Sequence, residues 1–85
     1  ASRLRGLPDV RIGPAAKAAV PALIMALRDE NAGVRIKATT ALMQVGPDAK
    51  EAIPALERLL EEDSDMGVRI TVIEALERIH ILAAP

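Results

Sequence analysis

Eighty-five residues, 51% of them apolar and 27% charged, with a formal charge of −1, describe one small globular domain that buries only about 60% of its unfolded surface and so has a thin stability margin. The chain has no cysteine, which removes disulfides and thiol chemistry, and no Phe, Trp or Tyr, which removes the stacking platforms of single-strand and RNA-binding modules. The near-neutral charge disfavours a nucleic-acid partner, and the apolar runs are too short to span a bilayer, so a soluble, cytoplasmic protein without membrane contact is expected. Charge is unevenly spread: residues 1–37 carry seven Lys/Arg against three Asp/Glu, and residues 38–85 carry four against nine. This is read either as a solvated surface with chance asymmetry or as a positive and a negative end that favour head-to-tail attraction between molecules, a symmetric dimer being the commoner arrangement.

Residues 1–12, ASRLRGLPDVRI, read as the tail of an incomplete leading repeat. Gly6 and Pro8 fall where a helix would otherwise continue, so a loop or irregular turn is expected there, with Leu4, Leu7, Val10 and Ile12 laid over the first repeat as a partial cover. Gly13-Pro14 stops one helix and starts the next. The stretch 13–23, GPAAKAAVPAL, returns at 46–56 as GPDAKEAIPAL, with eight identities and a Val/Ile exchange. A second pair, GVRI, occupies 33–36 and again 67–70. Self-similarity at this period marks a stacked-repeat protein.

Each repeat predicts two helices. Helix A of the first holds Val20, Leu23, Ile24 and Leu27 on one face and runs to about Arg28. The turn Asp29-Glu30-Asn31 follows, with Asn31 as N-cap for helix B, 32–45, whose stripe Val34, Ala38, Ala41, Leu42 and Val45 is expected in the core. In the second repeat helix A covers 53–62 with Ile53, Leu56 and Leu60 inward. Asp65 then caps a helix from Met66 to about Leu82, with Val68, Val72, Ala75, Leu76 and Ile79 inward. His80 and Ile81 replace the next Gly-Pro, so the last helix runs on.

The combination GPxAxxA[VI]PAL, an acidic turn, VRxx followed by small and AL positions, and a closing Gly-Pro resembles the short HEAT-like repeats of phycobilisome lyases. Residues 13–45 resemble one whole unit and 46–79 another, while ankyrin units need T-P-L-H and tetratricopeptide units need aromatics, both missing here. The departures are the proline-broken leading segment and the missing third Gly-Pro. The resemblance implies an all-α fold, a short right-handed α-α superhelix (a HEAT-like solenoid) in one domain over 1–85: a partial leading repeat at 1–12, repeat one at 13–45 and repeat two at 46–82. It also admits a bilin lyase subunit or a cofactor-handling chaperone as an alternative function, though fold and function travel separately.

Arg35 and Arg69 stand in the first turns of the B helices, where the helix dipole disfavours a cation. The turn residues Asp29, Asn31, Asp63 and Asp65 are placed to compensate, which predicts a structural ladder of arginines and turn carboxylates. No catalytic constellation, metal cluster or cofactor motif is found. His80 is the lone histidine, and the acidic run 61–65 lacks the interleaving and turn glycine of a calcium loop. The leading functional expectation is a non-catalytic module that binds a protein or peptide. On a helical wheel Ile36, Thr39, Thr40 and Met43 of the first B helix, and Ile70, Ile73, Glu74 and Glu77 of the second, lie opposite the core stripe. They are expected either to line an inner binding face or to contact the adjacent repeat. The pair Ile24-Met25 aligns with charged Glu57-Arg58, and Ile79, Ile81 and Leu82 lack a following repeat. Residues 1–12 or another molecule are expected to cover Ile24-Met25, and the five residues are expected to form contacts of a homo-oligomer at the ends of the stack.

Overall fold

The computed structural model describes residues 14–83, with side-chain surroundings described over 16–79. The expected cover at 1–12 and the side chains of His80, Ile81 and Leu82 lie outside the described residues. Among the described residues five α-helices follow one another: α1 (Pro14–Ala18), α2 (Val20–Ala26), α3 (Ala32–Val45), α4 (Ile53–Glu62) and α5 (Met66–Ala83). A 3-10 segment, Gly46–Ala52, joins α3 to α4. No strand occurs among the described residues.

Local chemistry sets the boundaries. Asn31 is extended and its side-chain oxygen accepts the Val34 N–H at 3.2 Å, which opens α3, and Asp65 accepts the Val68 N–H at 3.0 Å at the start of α5. Gly46 ends α3 at φ 78°, ψ −138°, a conformation that glycine alone adopts without strain, and donates its N–H to Leu42. Pro21 and Pro54 stand in the first turns of α2 and α4, where a missing N–H leaves no bond unmade.

α2 with α3, and α4 with α5, form two antiparallel hairpins, and the most extensive packing between hairpins is α3 against α5. The shared core contains Val20, Leu27, Ala38, Leu42, Leu56, Val68, Val72, Ala75 and Ile79, each 4% exposed or less. Ala49 and Ala52 are fully buried because the 3-10 segment packs closely on α5 and also meets α3. Their counterparts Ala16 and Ala19, which no preceding hairpin among the described residues flanks, are only half-buried.

One expectation needs correction and one is narrowed. Val34 is not a core residue but 38% exposed, while its copy Val68 is fully buried. Thr39, expected either on an inner binding face or against the adjacent repeat, is fully buried and so no part of an open face, while its copy Ile73 is 43% exposed. Both follow from one cause. α3 is covered on the side that faces the second hairpin, α5 on the side that faces the first, and a helical position is buried or open according to which side it occupies.

Candidate functional site

The acidic turns and the arginines that follow them form a continuous polar seam. Arg35 reaches across from the first hairpin to the second: its Nε donates to Asp63 Oδ2 at 2.6 Å and its Nη2 to Asp63 Oδ1 at 3.3 Å. Its Nη1 donates to the carbonyl oxygens of Asp29 and Glu30 at 2.8 and 2.9 Å, so one guanidinium ties down its own turn and its neighbour's. Asp63 Oδ1 also accepts the Asp65 N–H at 2.9 Å. Burial pushes the Asp63 carboxyl up, but the Asp65 N–H, the Arg35 hydrogen bonds and charge, and the nearby charge of Arg69 outweigh it and hold the group below the ordinary aspartate value.

Arg69 repeats only half of this pattern. Its Nη1 donates to the carbonyls of Leu60 and Asp63 in its own turn, but among the described residues it has no carboxylate partner. Asp29 shows the complementary lack. Its Oδ2 accepts the Asn31 N–H at 2.8 Å, as Asp63 does for Asp65, yet among the described residues no arginine bridges to it. The polar seam therefore has one complete rung, Arg35 to Asp63, and two half rungs, one at each end. Asn31 and Asp65 act as N-caps and, among the described residues, take no arginine.

The wheel strip divides in the same way. On α3, Ile36 and Met43 are half-buried against the core and Thr40 is half-exposed; Thr39 is sealed in, its hydroxyl donating to the Arg35 carbonyl at 2.8 Å. Ile36 lies against α5: a Cβ built at Gly67 would stand 3.4 Å from Ile36 Cδ1. On α5, Ile70 is 52% exposed and Glu74 and Glu77 are exposed, as is Met66 one turn earlier. The eight residues thus form two surfaces at equivalent positions. The first is the seam between hairpins, and the second is its uncovered copy on α5.

Of the five residues expected at oligomer contacts, Met25 is 75% exposed, Ile24 is half-buried on the core, and Ile79 is fully buried and so unavailable to a partner. A groove of about 680 Å³ runs between α2 and α4, unforeseen from the sequence; Ile24, Leu27, Ala55 and Leu59 give it an apolar floor, and both arginines and carboxylates rim it. Its only sequence trace is the apolar Ile24 opposite Ala55 and Leu59 on neighbouring A helices. Among the described residues no three His, Cys, Asp or Glu side chains converge as a metal site would need. No described helix is long and apolar enough to cross a membrane.

Helical hairpins laid side by side, stapled by an arginine that crosses from one to the next, define a helical-repeat protein. The chain belongs to the HEAT repeat family, whose model, described as HEAT repeats, matches residues 4–79. No curated protein and no solved structure shows a significant match. HEAT repeats commonly mediate protein–protein interaction, and the family is typically a non-enzymatic scaffold.

Proposed function

We propose that the chain is a non-catalytic protein-interaction module, a short right-handed α-α superhelix of two units, 13–45 and 46–82, of the short phycobilisome-lyase type, preceded by a partial one. It binds a protein or peptide through the open face of α5, where Ile70, Ile73, Glu74 and Glu77 stand. The observation that carries this reading is the contrast between copies: Thr39 is fully buried while Ile73 is 43% exposed. A surface at the positions of an internal seam that keeps Ile70 and Ile73 exposed is a binding surface in a family that works by binding. The acidic residues Glu74 and Glu77 favour a partner with an apolar ridge and a basic flank.

A photo-crosslinking residue placed at position 73, and separately at exposed position 50 as a control, tests the reading in the host cell. Protein adducts are expected from 73 and not from 50. Equal or absent adducts at both positions would remove the α5 face as the binding site.

A further inference from the structure

Within the chain one hairpin already sits on another, and the geometry of that seam specifies what fits the open face of α5. The first hairpin contributes Ile36, Thr39 and Met43 to the seam, and the second contributes the start of α5, where Gly67 approaches Ile36 and Val68 is fully buried. The open α5 face carries Ile70, Ile73 and Glu77 at the copies of the first set. At the other end of the molecule, 33–36 repeats the GVRI of 67–70, and its Val34 is 38% exposed where Val68 is sealed. Among the described residues each end therefore presents one half of the same contact.

Two independent features agree with this complementarity. The polar seam ends in Arg69 without a carboxylate and in Asp29 without an arginine, both among the described residues, and the completed rung between Arg35 and Asp63 gives the spacing that would join them. The charges are also matched: exposed Lys37 lies four residues from Gly33 on the basic half of the chain, and exposed Glu74 and Glu77 lie on the acidic half.

We propose that the occupant of the α5 face is a second copy of this chain, stacked head to tail. The 33–36 segment of the partner copy takes the place that 67–70 takes against α3, and Arg69 pairs with Asp29 of the partner copy as Arg35 pairs with Asp63. This rests on the α5 face being the binding surface. The contact joins two different surfaces and leaves both outer ends open, so assembly continues beyond a dimer.

Sedimentation of the purified full chain tests the proposal. Its weight-average mass is expected to exceed the 9.0 kDa of one chain and to rise with concentration without levelling at twice that value. Ile73→Glu should weaken association at least about 30-fold, from the lost apolar burial and the repulsion by Glu74 and Glu77. Asp29→Asn keeps an oxygen for the Asn31 N–H while removing the charge, and should weaken association about 5-fold with helicity unchanged. The cysteine-free background allows a direct check of register with Val34→Cys and Ile70→Cys chains and a short dithiol-reactive reagent. Crosslinked dimers are expected from the mixture and not from either variant alone. A chain that stays monomeric at high micromolar concentration, an Ile70→Cys chain that crosslinks to itself, or an Asp29→Asn chain that associates like the parent would each overturn the proposal. If the purified chain is monomeric while position 73 still captures a foreign protein in cells, self-stacking falls and the binding face stands; if neither occurs, both fall.

Discussion

Arg35 does at one residue what a loop of hydrogen bonds does elsewhere. Its guanidinium satisfies two carbonyls of the first turn and both oxygens of Asp63, whose side chain is only 6% exposed. Removing it leaves a nearly buried carboxylate without its ion-pair partner, held only by the Asp65 N–H and the more distant charge of Arg69, which costs more than the intact pair contributes. Arg35→Ala is expected to lower stability by about 3 kcal/mol, read by urea denaturation; Arg69→Ala, which strands no carboxylate, should cost no more than about 1–2 kcal/mol. The lowered pKa of Asp63 gives a pH signature. The folded state holds the ionised form more strongly than the unfolded chain does, so the contribution is complete above about pH 4 and is lost as pH falls through the lower folded-state value. An Asp63→Asn chain should be less stable than the parent at pH 7, and the gap should close on acidification below about pH 4. A gap that stays constant down to about pH 2 would contradict the assignment.

Among the elements, boundaries were the most legible part of the sequence because they rest on local chemistry. Asn31 and Asp65 as caps, and Gly46 as a stop, fix where α3 begins and ends and where α5 starts without reference to any distant residue. Gly46→Ala should cost about 1–3 kcal/mol from backbone strain alone, since beyond its chain neighbours nothing lies within 4 Å of the added Cβ. A calorimetric shift near zero would mean that the turn relaxes. Which face of α3 is buried was far less legible. A wheel treats the helix as packed from one side, and that holds for α4, where Leu56 is sealed and Glu57 and Arg58 are exposed. α3 is packed by α2 on one side and α5 on another, so Thr39 disappears into the seam and Val34 emerges from the core stripe. The signal was present in the comparison of copies: Met43 becomes Glu77 in the second hairpin, a charge at a position that is half-buried in the first. The groove between α2 and α4 depends on how far apart two A helices stand, and no periodicity within either helix carries that distance.

At the scale of the whole molecule, two near-identical hairpins acquire different surfaces purely from their order in the chain. Equivalent positions form a seam in the first and an open face in the second, so burial here follows the place in the stack as well as the residue type. This is why the repeat was readable from GPAAKAAVPAL and GVRI while the site was not: sequence identity between copies predicts equal surroundings, and stacking makes them unequal. Thiol labelling of Thr39→Cys and Ile73→Cys in the cysteine-free chain, at dilute concentration under native conditions, probes that inequality directly. The cysteine at 73 is expected to react at close to the rate of an exposed thiol, while the one at 39 reacts only when the protein opens, at least about 100-fold more slowly. Equal labelling rates at the two equivalent positions would mean that the hairpins are not stacked in this way.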